Sequence, residues 1–197
     1  MKILILGSTF LTQLVVERLK ESFDLVGYVP SEKPIFRGEV LLPEVSVNEP
    51  CDIKLSIQYD KKLKDTRHAY NLHTGLLPDF GGCDILYHSI KQEVTEQGLT
   101  FHSMTPSFDK GGIISTITYP VFDGDTVLDL YKRVCAIAPD FTVSCLNLLD
   151  KVNKARLFSY DPIIYKRGDV MDTEMYSRDK KLILNFIKDE QIRRRTP

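Results

Sequence analysis

The first thirty residues constrain the fold more than any other part of the chain. Lys2-Ile-Leu-Ile-Leu6 is a short apolar run that stops at Gly7-Ser8-Thr9. Leu11, Leu14, Val15 and Leu19 then recur at helical spacing, with Ser8 or Thr9 placed to cap the first turn. Leu25-Val-Gly-Tyr-Val29 forms a second short run, ended by Pro30. A strand, a glycine turn, a helix and a strand in this span begin a parallel βαβ unit, because parallel neighbours require a crossover of about this length. The class predicted is α/β, with a doubly wound, mostly parallel sheet and helices on both faces.

The remainder of the chain is consistent with that start. Residues 31–50 read as an irregular connection with room for one strand, and Cys51–Tyr59 restores a strand pattern. A helix is predicted over 83–97, stopped by Gly98, with strands over 99–104 and 113–121. Residues 126–149 show two helical patterns broken near Pro139, with Asp125 as N-cap. The charged tail from 160 onward reads as a short appended element holding one helix. The 197 residues divide into a main unit, 1–155, and an extension, 156–197.

Charge and cysteine spacing narrow the function classes. A formal net charge of −1 argues against binding nucleic acid through phosphates. Cys51, Cys83, Cys135 and Cys145 lie far apart with no C-x-x-C pair, which disfavours a disulfide framework or a zinc site. The opening apolar run is too short for a signal segment, and no long apolar span follows. A soluble, cytoplasmic protein without membrane contact is expected.

Two stretches carry chemistry. In Asn71-Leu-His73-Thr-Gly-Leu-Leu-Pro78-Asp-Phe-Gly81-Gly82, the amide and the imidazole stand two residues apart. On a strand they point the same way and together can polarise a carbonyl and handle a proton. Alone, the pair also fits a polar strand end before a turn. In Gly98-Leu-Thr-Phe-His102-Ser-Met-Thr-Pro-Ser-Phe-Asp109-Lys-Gly111, Asp109 sits in a loop between two predicted strands. Loops at the carboxyl ends of strands are where α/β proteins build sites. By alternation, His102 reads as a satisfied core histidine.

Taken together and in this order, the elements resemble the folate-dependent formyltransferases, the family of glycinamide ribonucleotide, methionyl-tRNA and sugar N-formyltransferases. Its pattern is N-x-H-x-S/G-L-L-P-x-x-x-G, then G-x-T-x-H, then D-x-G-x-I. Here these are Asn71, His73, Leu76-Leu-Pro78 and Gly82, then Gly98, Thr100 and His102, then Asp109, Gly111 and Ile113. Asp125-Thr126 before a leucine-bearing helix is similar to a further family element. The resemblance covers most of residues 1–150. It implies a Rossmann-like formyltransferase fold and N10-formyltetrahydrofolate as co-substrate, with Asn71, His73 and Asp109 as the catalytic set. Asn71 would donate to a tetrahedral oxyanion. His73 would act there as a donor when protonated or as acceptor of the amine proton. Asp109 would hold His73 or a water and help remove that proton. No metal is implied. The folate would lie beside Gln58, Tyr59, Lys61 and Leu63, with Met104, Thr105 and Phe108 closing its other side.

The acceptor is narrowed by the tail. Ile164-Tyr-Lys-Arg-Gly-Asp-Val170 is similar to the Y-x-R-x-D-L segment that follows the core of the sugar and tRNA enzymes. The long C-terminal domain of the tRNA enzyme has no counterpart in this sequence. A nucleotide-linked amino sugar is therefore the leading acceptor and glycinamide ribonucleotide the second. A formyltetrahydrofolate hydrolase and a non-catalytic nucleotide-binding module are the remaining alternatives, and homodimerisation is left open. The expected acceptor contacts are Ser8, Thr9, Gly81, Gly82 and His88, with Lys61 or Lys62 on a diphosphate. Two positions depart from the family: Gly81 stands where relatives carry a cation, and His88 where many sugar enzymes carry tryptophan.

Overall fold

The computed structural model describes residues 1–151, 157, 160–171 and 173–196. The expected division between 155 and 156 lies outside the described residues. In chain order the elements are β1 (Lys2–Leu6), α1 (Phe10–Leu19), β2 (Asp24–Val29), β3 (Ile53–Ile57), β4 (Ala69–His73), β5 (Gly81–Gly82), α2 (Ile85–Lys91), β6 (Glu96–Ser103), β7 (Ile113–Pro120), α3 (Val127–Leu148), β8 (Ile164–Tyr165) and α4 (Glu174–Arg195).

Six strands form the main sheet in the order β2-β1-β3-β4-β6-β7. The pairings β1–β2, β1–β3 and β3–β4 are parallel, while β4–β6 and β6–β7 are antiparallel. The first crossover is set by Gly7 and Thr9. Gly7 has a φ of +133°, and a Cβ there would lie 2.2 Å from the Ile57 carbonyl oxygen, so the chain turns only with glycine. Thr9 caps α1 through a reciprocal bond with Thr12.

Alternation sorts the strand residues onto two faces. Ile3, Ile5, Leu55, Ile57, Tyr70 and Leu72 join one buried cluster to which all four helices contribute. Leu4, Leu6 and Ala69 face the other way with Leu63, where Val45, Val47 and Tyr59 pack from non-helical segments. Helical cover thus falls on one face of an otherwise expected α/β sheet, leaving a face on which loops can build a site.

Several boundaries differ from the pattern reading, each for a local reason. α2 ends at Lys91 because Glu93 adopts a φ of +52°, and Gly98 lies inside β6. α3 runs unbroken through Pro139. The bond lost at proline is outweighed by a stripe buried on both sides of it, including Val134, Ala138, Phe141 and Leu146. The N-cap of α3 is Thr126, in a capping box with Asp129; Asp125 instead accepts from Phe122 N–H and pairs with Arg133. Residues 31–50 contain no strand, only isolated bridges at Arg37 and Glu44.

Candidate active site

β4 supplies two of the three expected groups. Tyr70 and Leu72 enter the core, so Asn71 and His73 share the opposite face. The antiparallel register sets His102 of β6 directly beside Asn71. His102 Nδ1–H donates to the Ser103 carbonyl at 2.8 Å, which leaves Nε2 to accept from Asn71 Nδ2 at 3.1 Å. This contact turns the amide and leaves its second N–H free.

Asp109 arrives from the loop after β6. Because β6 is antiparallel, that loop begins beside the start of β4, where Met104 N–H bonds the Ala69 carbonyl, and not at a carboxyl end shared with β4. It folds back so that Asp109 Oδ1 lies 3.6 Å from His73 Nδ1 and 3.6 Å from His102 Nε2. Asp109 has a φ of +53°, a conformation aspartate tolerates better than most residues. Its Oδ2 accepts from Gly82 N–H at 2.7 Å.

His73 Nε2–H donates to the Phe80 carbonyl at 2.6 Å, so the neutral ring presents a bare Nδ1 to Asp109. Burial pushes the His73 imidazole below its ordinary value of 6.5, against the pull of Asp109. Burial alone would raise the Asp109 carboxyl. When the His102 and His73 rings are protonated, they and the Gly82 N–H together outweigh it and hold Asp109 down at about 2; with the rings neutral, only the Gly82 N–H donates to the carboxylate. Two acceptors, a neutral imidazole and a carboxylate, therefore face each other across a gap suited to receiving one proton. Among the described residues no group of three His, Cys, Asp or Glu side chains forms a candidate metal site.

A cavity of about 730 Å³ opens against this centre. Gln58, Tyr59, Lys61, Leu63, Met104, Thr105 and Phe108 all line it, as do Asn71, His73, Asp109 and Gly82. Gln58 Oε1 is buried with no partner among the described residues. Lys61 is paired with Glu32 at 2.8 Å, and Lys62 lies over the Phe108 ring.

The other expected acceptor contacts are placed elsewhere. Ser8 accepts from Ser31 N–H and Thr9 is spent on capping, while Phe10 N–H donates to the Phe36 carbonyl. The N–H groups of Thr9, Phe10 and Thr12 are thus already bonded within the protein, and neither Ser8 nor Thr9 lines the cavity. Gly81 is buried against Ile163 and Ile164. His88 is 4% exposed beneath Tyr165, with ring centroids 4.3 Å apart, and is neither an exposed helix histidine nor part of the cavity lining. Among the residues that line it without having been expected there are Tyr165, Lys166 and Arg167. They bring cations to the side where Gly81 has none.

Residues 60–146 match the formyl transferase family model. The chain has the formyltransferase fold. The N-formyltransferase from Helicobacter canadensis superposes with a TM-score of 0.71 at 16% identity, covering 93% of this chain and 80% of that one. Phosphoribosylglycinamide formyltransferase from Bacillus halodurans gives 0.64 at 16% identity, covering 78% of this chain and 98% of that one. In sequence, methionyl-tRNA formyltransferase from Natranaerobius thermophilus is 25% identical over 115 residues, 55% of this chain but 37% of the relative. The chain thus spans well under half the length of that relative.

Proposed function

We propose that this chain transfers a formyl group from N10-formyltetrahydrofolate to the amino group of a nucleotide-linked amino sugar. The observation that carries the reading is that Asn71, His73 and Asp109 line one cavity, with Asp109 Oδ1 3.6 Å from both His73 Nδ1 and His102 Nε2 and with Asn71 Nδ2 3.1 Å from that same His102 Nε2. The acceptor nitrogen attacks the formyl carbon, and the carbonyl opens to a tetrahedral oxyanion. The free Asn71 N–H donates to that oxygen. His73 Nδ1 and Asp109 Oδ1 face the attacking nitrogen and take its proton. The bond from carbon to N10 then breaks, N10 gains a proton, and the products are the formamide and tetrahydrofolate.

Two observations favour the sugar acceptor. The Helicobacter canadensis enzyme, which was crystallised with folinic acid and dTDP-3-aminofucose, matches 93% of this chain. The tail also places Lys166 and Arg167 on the cavity, where a diphosphate would need cations. Glycinamide ribonucleotide is the second reading, supported by the 98% coverage of the Bacillus halodurans enzyme. The test is release of tetrahydrofolate from N10-formyltetrahydrofolate with a panel of nucleotide-linked amino sugars and with glycinamide ribonucleotide. Release dependent on an amino sugar is expected. Release with glycinamide ribonucleotide alone would move the assignment to purine synthesis. Release with no amine would make the chain a hydrolase, and none with any partner would leave a binding module.

A further inference from the structure

The loop from Pro78 to Cys83 reaches both members of the proton-accepting pair. Its Phe80 carbonyl accepts from His73, and its Gly82 N–H donates to Asp109. Both contacts use main-chain atoms. The placement of His73 and Asp109 therefore depends on where the loop backbone sits, not on any side chain the loop carries.

That backbone is held from its far edge. β5 pairs with β8 in a separate two-stranded sheet, Gly81 against Ile164 and Gly82 against Tyr165. Gly81 N–H donates to the Ile163 carbonyl at 2.9 Å and Cys83 N–H to the Tyr165 carbonyl at 3.0 Å. Ile163 N–H donates in return to the Pro78 carbonyl at 2.9 Å. The Phe80 ring stacks on Tyr165 with centroids 5.6 Å apart. Gly82 has a φ of +95°, and a Cβ on it would lie 2.2 Å from the Tyr165 carbonyl oxygen, so this approach requires glycine. β8 lies beyond residue 146, outside the segment that matches the family model.

We propose that Ile163–Tyr165 is a positioning element of the reacting centre: it clasps the 78–83 loop so that the Phe80 carbonyl and the Gly82 N–H hold His73 and Asp109 in place. Ile163 acts only through the loop, at a distance from the chemistry. The kinetic test of this clasp rests on the formyl-transfer reading; its spectroscopic test does not.

The wedge variant is Gly81→Ala. Gly81 does not line the cavity, and its added Cβ would meet Ile164 Cδ1 at 2.9 Å and the Ile163 carbonyl oxygen at 3.0 Å, prising β5 from β8. We expect kcat to fall about tenfold or more, since small displacements at a reacting centre are costly. The folate KM should stay within about twofold. In nitrogen-15 spectra the hydrogen-bonded Nε2–H of His73 should weaken, and its titration should move back towards 6.5 as water enters. Ile164→Val in the same background removes the nearest clashing atom and should recover part of both signals. Ile163→Pro deletes the N–H given to Pro78, should show the same signature, and decides the matter if Gly81→Ala does not fold. A folded variant with wild-type His73 signals, or one that loses kcat while His73 is unchanged and Ile164→Val restores nothing, overturns the proposal. If the wild-type protein transfers no formyl group, the function reading fails and the His73 spectrum alone judges the clasp.

Discussion

The two sides of the reacting centre are built by different means. On the sheet side, β4 and β6 present Asn71, His73 and His102 by strand alternation and register, and each position depends on the identity of a side chain. On the loop side, Phe80 and Gly82 contribute only a carbonyl and an N–H, held by backbone pairing to a tail strand. The comparison teaches that one side should fail by substitution of its functional groups, and the other by displacement. Substitutions on the sheet side should remove chemistry outright. Those on the loop side should act only where they move the chain.

The largest expected effect lies on the sheet side. Asn71→Ala should lower kcat by about a hundredfold or more with folate affinity near normal, because the oxyanion contact exists mainly in the transition state. His73→Ala should behave similarly, and the double variant should cost less than the product of the two. Near wild-type turnover in the double variant would remove the basis of the comparison.

The next effect concerns pH, and its sign follows from the two shifts. His73 is pushed below 6.5 and must be neutral to take a proton, so kcat should be flat above about 6.5 and fall about tenfold per pH unit below the depressed value. Asp109 favours the charged imidazole, so Asp109→Asn should shift that acid limb to lower pH while also reducing kcat. An acid limb that stayed in place or moved upward would separate Asp109 from His73. Stability follows the same direction. The ionised Asp109 contributes above its unfolded value of 3.8, and that contribution is lost as pH falls towards about 2.

This difference also explains what could be read in the sequence. Alternation put Asn71 and His73 on one strand face and Asp109 fell in a loop after a strand, but only the resemblance of the whole ordered pattern marked the three as a set. His102 was legible only as a core residue, since its contact with Asn71 depends on the register of two strands distant in sequence. The clasp left almost no trace. Gly81-Gly82 looked like a turn, yet both glycines make room for a strand about eighty positions later, a requirement that belongs to backbone approach rather than to side-chain type. Ser8 and Thr9 misled in the opposite sense: a glycine turn before a helix is an anion-site pattern, and only the fold shows the Phe36 carbonyl taking the Phe10 N–H and the Gly38 N–H donating to the Ser8 carbonyl. Pro139 shows the same limit, as burial against the core carried a helix through a proline, whereas the cap at Asp125 moved one residue for a local reason, the box between Thr126 and Asp129.

A smaller effect tests whether His102 belongs to the sheet side as a positioning residue. His102→Leu should lower kcat about tenfold by freeing the Asn71 amide, an order set by the loss of a single preorganised donor's alignment. His102→Gln, which can still offer an acceptor to Asn71 Nδ2, should recover part of that loss. In an Asn71→Ala background, His102→Leu should cost little more, because the group it orients is already gone. Full additivity of the two would mean that His102 acts independently of Asn71.

The smallest effect falls on the cavity rim, where the tail contributes side chains and not only backbone. Arg167 lies against Asp84 with Nε 3.3 Å from Oδ2, and its side chain is 43% exposed, so water and salt screen whatever it binds. Lys166 lines the same wall. A diphosphate held there would gain little from each cation singly, about 1 kcal/mol at most for an exposed contact. Arg167→Met should therefore raise the acceptor KM by about twofold to fivefold and leave kcat and the folate KM unchanged. Added salt should raise the wild-type acceptor KM and do so less steeply in the variant, since one screened contact has been removed. The measurement is acceptor KM against ionic strength for both proteins. A loss of kcat would place Arg167 with the clasp instead, acting through Asp84 and the start of α2. An unchanged salt slope would mean that the acceptor's anionic group, if it has one, is held elsewhere on the cavity wall.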